Sequence, residues 1–300
     1  MLSHPGELAA LATAVCWTFS ALAFEVAGKR VGSLALNFLR LGMAILLVAA
    51  WLSIARGAPF PRELPPTTAL WLAGSGLVGF VFGDLCLFRA FVVIGARVSL
   101  LIMALVPPIA AVLGWLLLGD TLGLWGLCGM VLTVGGVAWV VSERGQAEGE
   151  GQPAPRRYPL QGVLLAVGGA LGQAVGLLMA RHVMSGVYPF EASFVRIAAG
   201  IVGFALVLTF SGWWPRTAAA VRDARGMGFA AIGSFFGPFL GVAGSLAAVR
   251  WTDAGTASTL MSIVPVLMIP MSILVFRERV SLRAALGSVV AVAGVACMFV

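Results

Sequence analysis

Long apolar segments separated by short polar loops run along almost the whole chain. An α-helix rises 1.5 Å per residue, so about 20 mainly apolar residues suffice to cross a bilayer. The pattern predicts ten transmembrane helices, over residues 7–27, 33–55, 67–90, 94–118, 122–141, 159–181, 188–210, 226–249, 254–275 and 281–300. We therefore expect an all-α membrane protein.

One polar segment interrupts this series near the middle of the chain. Residues 142–158 are rich in Gly, Pro and charged residues, which is the composition of a linker. The predicted organisation is a five-helix unit over residues 1–141, the linker over 142–158, and a second five-helix unit over 159–300.

The two units are related in sequence. An ungapped offset of 158 residues gives 15 identities in the 64 pairs that match residues 79–142 with residues 237–300. An offset of 156 places Arg40 on Arg196, each in a Phe-x-Arg triplet. Because five is an odd number of helices, the second unit must be inverted in the membrane, as in the inverted repeats of secondary transporters.

The basic loop residues predict the orientation. Thirteen Lys and Arg residues lie on the face that carries the linker and four on the opposite face. By the positive-inside rule, the linker is expected in the cytoplasm and both termini in the periplasm. A single Lys among 19 basic residues, with abundant Ala and Gly, is typical of a GC-rich bacterium and hence of a bacterial inner membrane.

Composition narrows the function classes. The chain is 60% hydrophobic and only 10% charged, with a mean hydropathy of +1.03, which excludes a soluble enzyme and a nucleic-acid binder. Its four cysteines lie in separate apolar segments, and it has only two histidines. Signatures of ATPases, proteases and hydrolases are missing. We expect no catalytic residue, metal or cofactor, and partners limited to lipid and a small-molecule substrate.

Charged residues within the apolar segments are the first candidates for function. A charge at the bilayer centre costs at least ~2.5–3.5 kcal/mol, so it faces a partner or a wet cavity. Arg40 and Arg196 are candidate ligands for a substrate carboxylate, and Glu25 and Asp84 are candidate gating or coupling groups. The alternative for Glu25 is snorkelling, because it lies near a helix end.

Paired prolines suggest where a site lies. Pro107 and Pro265 occupy equivalent positions inside the fourth and ninth predicted helices, where proline frees a carbonyl and kinks the helix. Such kinks at mid-membrane favour a binding and gating site between the repeats. The candidate lining residues near the kinks are Ser99, Met103, Ser258, Thr259 and Ser262. Trp17 is a further candidate because an indole N–H in the middle of a helix needs a partner, and Gln173 aligns with it in the other half.

Two segments carry a family resemblance. The sequence ALVP followed by LGDTLGLWGLCGMVLTVGGVAWVV resembles the closing half of an EamA domain, and so does SIVP followed by FRERVSLRAALGSVVAVAGVACMFV. The chain thus resembles the drug/metabolite transporter superfamily with two EamA domains, including aromatic amino-acid exporters of the YddG type. The resemblance implies alternating access around a cavity between the repeats, without ATP.

The expected function is secondary transport, with export of amino acids, aromatic or otherwise apolar, as the leading hypothesis. The alternatives are a nucleotide-sugar or phosphorylated-metabolite carrier, a drug carrier, or a channel. A doubly charged phosphate would need several cations in the cavity, which the two candidate arginines supply poorly. Two repeats complete the fold within one chain, which favours a monomer.

Overall fold

A computed structural model describes residues 5–118, 123–142, 158–184, 186–242, 244–245, 248, 260–277 and 280–298. Every regular element in these ranges is helical. Ser258, Thr259 and most of the linker lie outside the described residues.

The first half contains six α-helices and one π-helical segment. They are α1 (Pro5–Val31), α2 (Ser33–Arg56), α3 (Pro66–Gly76), the first π segment (Leu77–Gly83), α4 (Asp84–Met103), α5 (Val106–Leu118) and α6 (Leu124–Val141).

The second half has a similar series. It comprises α7 (Leu160–Arg181), α8 (Pro189–Ser211), α9 (Trp214–Ala220), α10 (Ala224–Ser234), the second π segment (Phe235–Gly241), α11 (Val264–Phe276) and α12 (Leu282–Cys297). The short helix α9 lies where the sequence analysis expects a loop. Proline at its second position, Pro215, favours a helix start there because its φ is already helical.

Six helices of the described chain are long and apolar enough to cross a membrane, and three shorter apolar helices accompany them. The longest of the six runs from Pro66 to Met103, includes the first π segment and has 38 residues. The chain is therefore an all-helical, multi-pass membrane protein, while the count of ten spans stays a prediction.

The predicted third and fourth helices meet at a single residue. Helix continues past residue 90 to Ile94, and Gly95 then turns the chain with φ 79° and ψ 159°. Only glycine adopts a positive φ of this kind without strain. The carboxylate of Glu25 accepts a hydrogen bond from the N–H of Ala96 at 2.8 Å, so a side chain of α1 caps the helix that starts there.

The predicted fourth helix is broken again before its proline. α4 ends at Met103, Ala104 and Leu105 form a turn, and α5 begins at Val106. Pro107 has no N–H to donate to the carbonyl of Met103, and this lost bond accounts for the break. Pro265 stands at the equivalent place at the start of α11, after a turn at Ser262 and Ile263.

Element boundaries repeat along the chain with the offset of 158 that the sequence shows. α3 and α10 span residues 66–76 and 224–234, the two π segments span 77–83 and 235–241, and α5 and α11 span 106–118 and 264–276. Packing is reciprocal as well, because α1 packs against α10 and the second π segment while α7 packs against α3 and the first.

The equivalent helices α6 and α12 pack closely on each other through glycines. A Cβ added to Gly136 would lie 2.8 Å from the carbonyl oxygen of Gly287, and one added to Gly294 would lie 2.7 Å from that of Gly129. Gly129 and Gly136 are the counterparts of Gly287 and Gly294, so each contact occurs twice. Such close backbone approach is how small residues hold membrane helices together.

Replacing Gly136 by alanine tests this seam. The new Cβ would lie 2.6 Å from the backbone nitrogen of Ala291, which forces the helices apart and lowers the free energy of unfolding by about 1–3 kcal/mol. Gly135 is the matched control, since a Cβ there meets nothing within 4 Å. Thermal unfolding in detergent should show a lower Tm for Gly136→Ala and no loss for Gly135→Ala; equal Tm values would contradict the packing.

An ion pair at the start of α10 predicts a pH dependence. The guanidinium of Arg30 donates to both carboxylate oxygens of Asp223, at 2.9 and 3.0 Å. The N–H of Gly226 also donates to Asp223, at 2.9 Å. Arg30 and then this N–H hold the pKa of Asp223 below 3.8. The stabilisation is present above the ordinary pKa and is lost as pH falls through the lowered one.

Asp223→Asn should therefore lower the Tm slightly at neutral pH, and the difference from the wild type should shrink as pH falls below about 4. Thermal unfolding across this range measures it, with Glu63→Gln on an exposed loop as the control. A difference between wild type and Asp223→Asn that is constant with pH would show that the charge of Asp223 contributes nothing.

Candidate functional site

A cavity of about 470 Å³ lies inside the helical bundle. Its walls come from both halves of the chain, including α1, α4, α7, the π segments and the two proline breaks. Seven of the lining residues are aromatic or carry a thioether, namely Trp17, Phe24, Phe80, Phe88, Phe91, Met103 and Met261. Among the described residues, the charged, amide and hydroxyl side chains of the lining are Ser20, Arg40, Asp84, Gln173 and Ser262. The cavity is thus apolar with one charged patch.

That charged patch centres on the carboxylate of Asp84, which is 4% exposed. Arg40, also 4% exposed, forms a salt bridge to one carboxylate oxygen through Nη2. The side-chain amide of Gln173 donates to the other oxygen at 2.7 Å. The two ends of the carboxylate are therefore held by α2 and α7, one helix from each half.

Arg40 is held in place by further contacts. Its Nε donates to the side-chain oxygen of Asn37 at 3.0 Å, and the Asn37 amide donates to the backbone oxygen of Asp84 at 3.2 Å. The guanidinium carbon lies 4.3 Å from the ring centre of Phe88 and 5.6 Å from that of Phe24. Cation–π attraction of this kind is strongest where water is excluded.

Arg196 lies beside this cluster but does not line the cavity. Its guanidinium carbon is 5.2 Å from the ring centre of Phe80. Its Nε is buried and has no hydrogen-bond partner in the described part of the chain. Its Nη2 lies close to Gly79, whose carbonyl accepts a hydrogen bond from the same Gln173 amide that holds Asp84. Arg196 is thus a second cation near the carboxylate of Asp84, and it makes fewer polar contacts than Arg40 does.

The two proline breaks form another part of the cavity wall. Met103, Ala104, Val106 and Pro107 line it from the first half. Met261, Ser262, Val264 and Pro265 line it from the second half. Where a helix is interrupted, backbone carbonyls lose their partners and must face protein or water. The two breaks therefore border the cavity.

The structure brings most of the predicted site residues to this cavity. Those that line it are Trp17, Arg40, Asp84, Met103, Pro107, Gln173, Ser262 and Pro265. Ser99 does not line it, and its buried hydroxyl donates to the carbonyl of Gly95 at 2.8 Å. Glu25 also lies elsewhere, paired with Lys29 at 2.8 Å and capping the helix that starts at Ala96.

Two polar participants were not among the predicted residues. Asn37 precedes Arg40 by three positions, which places both on one helix face, and that spacing could have identified it. Ser20 donates to the carbonyl of Gly233 at 2.9 Å, across the contact between α1 and α10. Its role depends on this tertiary approach and leaves no signal in the sequence.

One of the comparisons with known proteins identifies a family. The model of the EamA-like transporter family matches residues 4–142 and again residues 160–300. A solved crystal structure, described only as that of a protein, is similar to this chain with 20% identity and a TM-score of 0.55. The match covers 97% of this chain and 95% of the other, and at this identity it supports the fold alone. No protein of curated function matches significantly.

The salt bridge between Arg40 and Asp84 is open to a direct test. Removing one partner leaves a buried charge unpaired, so Arg40→Met should lower the free energy of unfolding by about 3–5 kcal/mol. Removing both, in Arg40→Met/Asp84→Leu, should recover part of that loss, because neither charge of the pair then remains without the other, while Arg196 stays buried beside the site.

Thermal unfolding of the purified protein measures these differences. Arg62→Met provides the control, because Arg62 is exposed and its removal should change stability by no more than about 0.5 kcal/mol. The pairing would be contradicted if the double variant lost as much free energy of unfolding as Arg40→Met and Asp84→Leu lose together.

Proposed function

Because this chain belongs to the EamA-like transporter family, we propose that it is a secondary transporter that moves a small solute across a bacterial inner membrane by alternating access. One observation carries the proposal: an apolar cavity of about 470 Å³ with a single buried charged patch, walled by both halves of the chain. Pockets of about 300–1,000 Å³ are the usual size for small-molecule ligands.

The lining favours an amphipathic substrate, and amino acids, aromatic or otherwise apolar, are our leading proposal. Aromatic and methionine side chains offer contact area to a flat or apolar body. Arg40 is the guanidinium that reaches the cavity, and it suits a single carboxylate. Because Asp84 already neutralises much of its charge, a doubly charged phosphate compound fits less well than a zwitterion.

Two inverted repeats, residues 1–141 and 159–300, are the proposed basis of alternating access. The matching element boundaries and the reciprocal packing of α1 and α7 support this arrangement. Rocking of one repeat against the other would expose the cavity to each side in turn. The surplus of basic loop residues supports a cytoplasmic linker and periplasmic termini, and two repeats in one chain support a monomer.

Counterflow in proteoliposomes tests the function. Vesicles loaded with unlabelled amino acid should take up the labelled amino acid, with saturation and with competition by Trp or Phe. If the protein is a drug carrier, Trp and Phe should not compete with its substrate. If it is a channel, the flux should not saturate. If intact vesicles exchange no amino acid, amino acids are excluded as substrates, and sugars, nucleotides and drugs remain as candidates.

Two leucines on α7 give a matched pair of variants for this assay. Leu177 lines the cavity, whereas Leu171 does not. Leu177→Trp should fill part of the cavity and reduce counterflow at least tenfold through a higher KM, and Leu171→Trp should transport like the wild type. Equal activity of both variants would place the transport path elsewhere.

A further inference from the structure

Two equivalent arginines face a single carboxylate. Arg40 on α2 and Arg196 on α8 occupy the same position in their repeats, and α2 packs against α8. The offset of 158 that relates the second π segment to the first would place the counterpart of Asp84 at Val242, so the carboxylate has no second copy. In this conformation Asp84 pairs with Arg40.

Arg196 is placed to act as a second partner for the same group. A Cβ on Gly79 would lie 3.3 Å from its Nη2 and 4.0 Å from the side-chain oxygen of Gln173. Gln173 donates to Asp84 at 2.7 Å and to the carbonyl of Gly79 at 3.3 Å. The guanidinium of Arg196, whose Nε has no hydrogen-bond partner among the described residues, and the amide that holds Asp84 are therefore neighbours.

The backbone before Asp84 offers a way to move its side chain. The N–H of Asp84 donates to the carbonyl of Gly79, five residues earlier, which is the π pattern. In the α pattern this hydrogen bond would join residues four apart instead of five, so the turn would contain one residue fewer. The next helix, α4, would then rotate by about 100°, the angle that one residue spans in an α-helix. Asp84 is the first residue after the segment and would turn with it.

The second π segment lacks this freedom. It contains Pro238, which has no N–H for the α-helical bond to the carbonyl of Ser234. The residue at the equivalent position of the first segment is Phe80, which keeps its N–H. Only the segment that precedes the carboxylate can therefore adopt a full α pattern.

We propose that Asp84 exchanges its salt bridge between Arg40 and Arg196 during the transport cycle, with the first π segment as the hinge. Arg196 is then a positioning residue that stabilises the second conformation, not a substrate ligand. This inference rests on alternating access in the proposed function. Each arginine holds the carboxylate in one conformation, so weakening either one shifts the population toward the other.

The test is the accessibility of a cavity thiol from each side of the membrane, which requires no substrate. Ser262→Cys supplies the reporter in a chain with its four native cysteines, Cys16, Cys86, Cys128 and Cys297, replaced by alanine. An impermeant thiol reagent is applied to either face of oriented vesicles. The ratio of the two labelling rates reports the conformational population.

Arg196→Gln should shift this ratio toward the conformation described here, and Arg40→Lys should shift it the other way. Lysine keeps the charge but cannot hold Asn37 and Asp84 together as the forked guanidinium does. Loss of one charged hydrogen bond corresponds to a shift of roughly tenfold or more. Arg196→Lys keeps the charge and should restore part of the effect of Arg196→Gln.

If Arg40→Lys does not accumulate in the membrane, Asn37→Leu replaces it, because this change removes the amide that holds both Arg40 and the Asp84 backbone. The exchange would be overturned if the ratio of labelling rates shifted in the same direction in the Arg40 and Arg196 variants, or did not shift in either. A ratio that responds as expected in vesicles without amino-acid counterflow would retain the exchange and reject only the substrate class.

Discussion

The need to satisfy every backbone polar group without water governs this structure. In lipid an unpaired N–H or C=O costs several kcal/mol, so the described chain is helical and its interruptions are few. At each interruption the surrounding structure accommodates the backbone groups that lose their helical partners. Glu25 supplies an acceptor to the helix that begins at Ala96, and the breaks before Pro107 and Pro265 open onto a cavity instead of lipid. The candidate site lies where the helical hydrogen-bonding pattern is interrupted.

The charged patch follows the same constraint. Burying a charge is costly, and Arg40 and Asp84 reduce this cost by pairing, while Asn37 and Gln173 supply further hydrogen bonds to them. Under the proposed function, such a patch in an apolar wall would offer an apolar surface to the body of a solute and charged groups to its polar end. Because the anchors come from both halves, any relative movement of the halves must alter the patch.

The apolar spacing predicted most helices, and the ends of α2, α7 and α8 lie within one residue of expectation. The paired prolines likewise indicated the cavity, because a missing N–H has the same consequence in any fold. The turn at Gly95 was misplaced, since its signal is a single glycine among many. The π segments and the contact of Ser20 with Gly233 depend on tertiary packing, which local sequence does not encode.

The seam between α6 and α12 has a further consequence. Gly129 meets Gly294 while its counterpart Gly287 meets Gly136, which makes the interface isologous, like that of a two-fold symmetric dimer. In a dimer of identical five-helix chains, any substitution at such a seam would occur at both contacts at once. Joining the halves in one polypeptide lets each contact change separately, so one side can loosen while the other keeps the assembly closed.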